Sequence, residues 1–157
     1  MGDTTDDLRL AEAEFRVWRH DRAIADLVAE AVALMVAGTD TPYLRILAGE
    51  DGADADEVEG VLKGALRDLG LEPLDRRAAV LLIARYLATR AIDDFGAAAE
   101  VAPILWRLYA SEPMNVDWPP EFGRLAVAAD RVVDLPELDG SMPEFMAAAR
   151  AFVVSPD

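Results

Sequence analysis

Apolar residues recur at steps of three and four positions along most of the chain, which is the spacing of one face of an α-helix. The first such region runs from about Asp6 to Ala37. The pattern falters at His20-Asp21, so Asp21 is a candidate cap for a second helix. Gly38 then ends the region, as a residue tolerant of positive φ does. No segment shows the alternation of a β-strand, and the sequence therefore predicts an all-α protein.

Capping and turn-forming residues mark the later helices. Thr41-Pro42 predicts a short helix, because the hydroxyl can cap free amides and Pro is tolerated in a first turn. Asp54 and Glu57 have the spacing of a capping box, and Gly70 ends the helix that follows. Further helices are predicted at about 76–93, 97–110 and 117–133, and a last one opens with a second capping box at Ser141 and Glu144.

The predicted helix at 76–93 is apolar nearly all round. A helix of this kind usually lies at the centre of a fold, where every face is covered. No internal repeat and no long linker divides the chain. The sequence therefore predicts a single all-α domain over residues 1–157, folded as an irregular orthogonal bundle of six or seven helices around this central helix.

The charge balance narrows the range of partners. The 157 residues include 30 acidic and 15 basic side chains, for a net charge of -15. Nucleic acids and anionic membrane surfaces need clustered cations, so neither is an expected partner. The strongly apolar runs, such as Ala78–Ala84, are far too short for a membrane span, and the N-terminal residues lack the pattern of a signal peptide. We expect a soluble cytoplasmic protein.

Few residue types remain for catalysis. The chain has no Cys and a single His, His20, which excludes thiolate chemistry and paired-His metal sites. No phosphate-binding glycine loop and no Gly-x-Ser-x-Gly elbow is present. A calcium loop starting at Asp51 would place Ala53 and Ala55 at ligand positions. The sequence therefore predicts no catalytic residue, no metal and no cofactor, and favours binding over enzymatic activity.

One candidate binding surface is an acidic face between the third and fourth predicted helices. This run carries six carboxylates and no base from residue 50 to 59. A solvated loop that leads into the N-terminus of a helix is the simpler interpretation, since acids there interact favourably with the helix dipole. The residues of the predicted acidic face are Glu50, Asp51, Asp54, Asp56, Glu57 and Glu59.

A second candidate is a polar pocket near residues 85–109. Its polar residues would be Arg85, Arg90, Asp93 and Asp94, walled by Tyr86, Phe95, Trp106 and Tyr109. The alternative is an ordinary surface pair of Arg90 with Asp94 and a core position for Trp106. Trp18 is likewise expected in the core. Trp118 precedes two prolines, where it either staples the next helix or serves as a partner anchor.

The stretch Thr39-Asp-Thr-Pro-Tyr-Leu-Arg-Ile-Leu-Ala-Gly49, followed by the helix ending Leu69-Gly-Leu71, resembles small uncharacterised helical proteins of bacteria, notably of actinobacteria. The segments 92–96 and 104–106 fit the same resemblance. The resemblance implies a small all-α domain, and because that group has no assigned activity it implies no catalytic residue.

Two functions follow as expectations. The first is a non-enzymatic interaction module whose acidic surface engages a basic protein, in the manner of an immunity protein or antitoxin. Charge would steer the association and supply complementarity at the rim of the interface. The alternative is a small ligand-binding or enzymatic helical domain that uses the Arg/Asp pocket near 85–109.

Overall fold

The structure is a computed structural model that describes residues 4–50, 54–113, 116–134 and 140–155. These ranges form eight α-helices and one 3₁₀ turn and contain no strand, which confirms the all-α prediction. The helices are α1 (Thr4–Trp18), α2 (Asp21–Val36), α3 (Pro42–Ala48), α4 (Ala55–Asp68), α5 (Arg76–Asp93), α6 (Ala98–Ala110), α7 (Pro120–Asp134) and α8 (Ser141–Val154), with the 3₁₀ turn at Phe95–Ala97.

The first predicted helical region is two helices, and the described count is eight where six or seven were expected. The chain turns at Arg19, whose φ of 47° lies in the left-handed region that non-glycine residues seldom adopt. His20 is the N-cap of α2, because its Nδ1 accepts the backbone N–H of Ala23 at 3.0 Å. The prediction that Asp21 caps α2 was wrong, since Asp21 is the first helical residue.

Glycine ends two helices in the way the sequence predicted. Gly70 has a φ of 71° after α4, and the Leu71 N–H donates to the Leu66 carbonyl at 2.8 Å. Gly38 has a φ of 99° after α2 and allows the same closure. Positive φ at these positions costs glycine little because it has no Cβ.

Helix starts were predicted less well than helix ends. Thr41 caps α3 and Asp54 caps α4, as expected, although the Asp54 carboxylate accepts from Asp56 rather than from Glu57. The second capping box was wrong. Gly140 is the N-cap of α8, while Ser141 is a buried first residue of the helix that does not cap it.

The chain divides into two compact units, residues 1–80 and 81–157. In the first unit α1 packs on α2, α2 on α3 and α3 on α4. Its core is mainly aliphatic, with one phenylalanine, and includes Leu8, Phe15, Leu27, Leu44, Leu62 and Leu66. The single-domain organisation and the central place of α5 concern both units together, so they stay predictions.

In the second unit α6 packs on α7 and α7 on α8. Its core centres on Phe122, which stacks on Phe152 at 5.4 Å between ring centroids. The ring of Tyr109 meets Phe122 edge-on at 5.5 Å. No helix within the described ranges is long and apolar enough to cross a membrane.

Candidate functional site

The residues of the predicted Arg/Asp pocket serve local contacts in the second unit. The Arg85 guanidinium lies 5.2 Å from the Phe152 ring centroid and donates to the Val153 carbonyl at 3.3 Å. Arg90 pairs with Glu100 at 3.5 Å, and not with Asp94 as the surface-pair alternative expected. Asp94 instead caps the 3₁₀ turn by accepting from the Gly96 N–H.

The structure brings the aromatic candidates together through Phe122. Trp118 is half-buried and meets Phe122 edge-on at 5.2 Å, which is the contact of a residue that staples the start of α7. Trp106 is half-buried and stacks on Tyr109 at 6.3 Å. Asp93, Tyr86 and Phe95 are exposed. Arg85, Trp106 and Trp118 therefore belong to one packed aromatic series, while Arg90 and Asp94 bind neighbours at the turn between α5 and α6.

An open cleft of about 630 Å³ lies elsewhere in the second unit, between the end of α6 and the helices α7 and α8. Tyr109 is the only wall residue of the predicted pocket among those that line it. Its lining includes small residues, such as Gly123 and Ala147, and the charged residues Arg124 and Glu144. Sequence reasoning missed this cleft because its lining comes from three helices and carries no motif.

The predicted acidic face on α4 is partly neutralised by cations. Arg19, from the turn before α2, donates to Asp56 at 2.5 Å and to Glu59 at 2.8 Å. Lys63 pairs with Glu59 at 2.9 Å from one turn along the same helix. The hydrogen bonds from Lys63 and Arg19 hold the pKa of Glu59 below its usual value. Glu59 is therefore a stabilised carboxylate.

The other members of the acidic face have varied settings. Asp54 is exposed and acts as the cap of α4, Glu57 is exposed and Glu50 is half-buried. Asp51 lies outside the described residues. The acidic face is therefore a set of surface acids in which two of the described members already share a cation.

A second group of carboxylates, which sequence reasoning missed, follows the packed pair α1 and α2. We call Asp7, Glu14, Asp26 and Glu30 the carboxylate row; the first two belong to α1 and the others to α2. Glu14 feels the charge of Asp26, and Glu30 feels the charges of Asp7 and Asp26. Arg22 approaches Asp26 at 3.9 Å, and within the described ranges the other three members form no ion pair.

The carboxylate row is electrostatically strained. Partial burial, followed by repulsion from Asp26, raises the pKa of Glu14, and Arg22 and His20 offset this only in part. Partial burial, followed by repulsion from Asp7 and Asp26, raises the pKa of Glu30. A raised carboxyl pKa means that the ionised form is less favourable in the folded protein than in the unfolded chain. In this row, repulsion between neighbouring carboxylates adds to the effect of burial.

Beside the carboxylate row, α2 exposes an apolar surface that we call the outer stripe. Its members share the solvent-facing side of the helix at helical spacing, and Val36 is 83% exposed and Val32 44% exposed. The sequence contained this signal, because the core positions of α2 leave an opposite face without charge after Arg22. The outer stripe consists of Ala25, Ala29, Val32, Ala33 and Val36.

The turn between α1 and α2, near the N-terminal end of the outer stripe, carries two stacked aromatic rings. The Trp18 and His20 rings are nearly parallel at 6.1 Å. The expectation that Trp18 lies in the core was wrong, since its residue is 37% exposed. His20 accepts at Nδ1, so its Nε2 carries the proton when the ring is neutral. Its role in the structure is that of a helix cap.

No protein-family model, no curated protein and no solved structure matches the chain. No group of three or more His, Asp or Glu side chains in the described part of the chain is placed to hold a metal ion. The described residues form three candidate surfaces: the acidic face, the carboxylate row with the outer stripe, and the cleft between α6, α7 and α8.

Proposed function

We propose that the chain is a non-enzymatic protein–protein interaction module whose acidic surface binds a basic protein. In this role it resembles an immunity protein or antitoxin that covers a cationic active site. The observation that carries the proposal is the carboxylate row. Three of its four members lack an ion pair within the described ranges, and the pKa values of Glu14 and Glu30 are raised.

A cationic partner would change the electrostatic free energy of the carboxylate row. Burial and mutual repulsion raise the free energy of the ionised row, and Lys or Arg side chains from a partner would replace that repulsion with attraction. The net charge of -15 extends the attraction beyond the contact itself and speeds the encounter with a cationic protein. Both effects weaken as salt screens the charges.

The test is capture of a partner followed by kinetics. The tagged full-length chain is incubated at low salt with lysate from cells that express it, and captured proteins are identified and purified. We expect a basic protein whose association rate constant falls at least about tenfold between low and high salt. Capture of only neutral or acidic proteins, or an association rate that does not change with salt, would contradict the proposal.

Ligand binding is the second candidate function, and the cleft of the second unit is the observation that favours it. Its volume of about 630 Å³ is within the range that small-molecule sites occupy. An apolar small molecule with one polar group would suit a lining that includes Val127, Ala128 and the Tyr109 hydroxyl. A thermal-shift screen should then find a stabilising compound whose effect disappears in Ala147→Trp, a substitution at an exposed lining position that fills the cleft, and persists in Glu57→Gln.

A further inference from the structure

Helix α2 has two apolar faces, and only one of them is used by the fold. Ala23, Leu27 and Leu34 are buried in the core of the first unit. The outer stripe faces solvent from position 25 to 36, a length of about 17 Å at 1.5 Å per residue. Contiguous exposed apolar surface is typical of sites where another molecule binds.

The surface of the outer stripe allows a second helix to pack against it. Ala25, Ala29 and Ala33 are small, so a second helix can approach closely along them, while Val32 and Val36 project from the same face. Three turns of a partner helix would cover this length. Its apolar side chains would recur at three- and four-residue steps.

The charges at the edges of the outer stripe indicate which kind of partner helix would bind there. One edge of the stripe carries Asp26 and Glu30, and the carboxylate row continues from there onto α1. The opposite edge carries Val28 and Met35, which are half-buried and apolar. A partner helix with Lys or Arg along one edge of its apolar face would pair with the row.

We propose that the outer stripe of α2 is a docking site for a cationic amphipathic helix of a partner protein. This inference rests on the proposed function and names the surface and the chemistry of the partner. A second copy of the chain fits less well, because it brings a further charge of -15 and its own α2 stripe offers only Arg22 as a cation. An anionic membrane surface is repelled by the row.

The experiment measures binding of a designed helix to the full-length chain. The probe is an 18-residue peptide with Leu at helical spacing and Lys elsewhere, titrated by fluorescence anisotropy at low salt. A peptide of the same composition with shuffled positions has no apolar face and is the peptide control. We expect it to bind at least about tenfold more weakly.

Paired variants locate the site. Val32→Ser with Val36→Ser should weaken binding of the probe about tenfold, and Asp26→Asn with Glu30→Gln should weaken it about three- to tenfold and flatten its salt dependence. The matched controls are Val133→Ser with Val154→Ser, and Glu72→Gln with Asp134→Asn, all at exposed positions outside the candidate surfaces. Both controls should keep the dissociation constant within about twofold, and circular dichroism should show unchanged helicity in all variants. The controls remove the same groups from other exposed positions.

The outcomes separate this inference from the proposed function. Equal binding of the probe to the α2 variants and the controls would overturn the docking site, and so would equal binding of the shuffled peptide, while partner capture by the chain would still support the proposed function. Absence of probe binding at 1 mM, about the weakest affinity of interest, would also overturn the docking site. Sedimentation that shows a dimer in the wild type and a monomer in the Val32/Val36 variant would assign the stripe to a second copy instead.

Discussion

The acidic face and the carboxylate row, both in the first unit, differ in how far nearby cations compensate their charge. The spacing of the carboxylates along the chain does not reveal this difference. The acidic face has six carboxylates within ten residues, and the carboxylate row has four spread over twenty-four. Yet the pKa of Glu59 in the acidic face is lowered, whereas the pKa values of Glu14 and Glu30 in the row are raised. The denser group is the better compensated one.

The difference arises from where the cations lie. Arg19 reaches the acidic face from a position 37 residues before Asp56 in the chain, and Lys63 reaches it from one helical turn away. The carboxylate row has Arg22 at 3.9 Å from one member only. An acidic run in a sequence therefore says little about the field at the surface until the positions of distant bases are known.

The largest effect is expected at Glu12, which has the most charged and hydrogen-bonding partners of the carboxylates described in the first unit. Glu12 is fully buried and pairs with Arg9 at 2.6 Å and Arg16 at 2.8 Å, and it also accepts the Leu74 N–H at 2.8 Å. Glu12→Ala leaves two arginines without their partner and should lower the free energy of unfolding by about 3–5 kcal/mol, measured by urea denaturation.

The matched control for Glu12 lies two residues away on the same helix. Glu14 belongs to the carboxylate row and has no ion pair within the described ranges, so Glu14→Ala should change the free energy of unfolding by no more than about 0.5 kcal/mol. Similar losses for the two variants would show that charge pairing is not the source of the stability that Glu12 provides.

An intermediate effect is expected at Arg19, because it holds the acidic face. Arg19→Ala removes the contacts to Asp56 and Glu59, and the resulting loss of stability should be about 0.5–1.5 kcal/mol for these partly exposed pairs. The pKa of Glu59 should rise toward its ordinary value. Thermal unfolding and carboxyl NMR measure the two effects.

Arg19→Gly serves as the control for the backbone. Glycine adopts the left-handed φ of 47° without strain, so this variant should lose less stability than Arg19→Ala while its Glu59 pKa rises equally. An unchanged Glu59 pKa in both variants would remove Arg19 from the account of the acidic face.

The smallest effect is expected at Glu30, and it has the opposite sign. Glu30→Gln removes a repelled carboxylate and should raise the melting temperature at pH 7 by about 1–2 °C, from a gain of about 0.3–0.5 kcal/mol. A raised pKa in the folded protein makes the ionised form unfavourable, so the wild type recovers this stability as the pH falls through that pKa. The difference between wild type and Glu30→Gln should therefore vanish near pH 3.5. A difference that persists there would mean that charge is not its cause.

Most helices and their ends could be predicted from the sequence, because helix capping depends on residues that are close together in the chain. Gly38, Gly70, Thr41 and Asp54 act as their residue types predict. His20 was missed as a cap since imidazole is an uncommon capping group, and Ser141 was misread because Gly140 precedes it and takes the capping position.

The candidate binding surfaces were harder to predict from the sequence, because they depend on contacts between different helices. The pairing of Arg19 with α4 joins residues about forty positions apart, and no local pattern encodes it. The spacing of apolar residues in α2 already contained the outer stripe. A second apolar face on a helix normally predicts that the helix is buried, however, and only the structure shows that no described helix covers this one. Trp18 was assigned to the core for the same reason and lies at the surface.

The most direct test of this account is an NMR titration of the side-chain carboxyls of Glu30 and Glu59, with and without the Leu/Lys peptide. We expect the pKa of Glu30 to lie above that of Glu59 in the free protein, and to fall when the peptide binds while the Glu59 pKa stays constant. A Glu30 pKa at or below that of Glu59, or a peptide that shifts Glu59 and leaves Glu30 unchanged, would contradict the account.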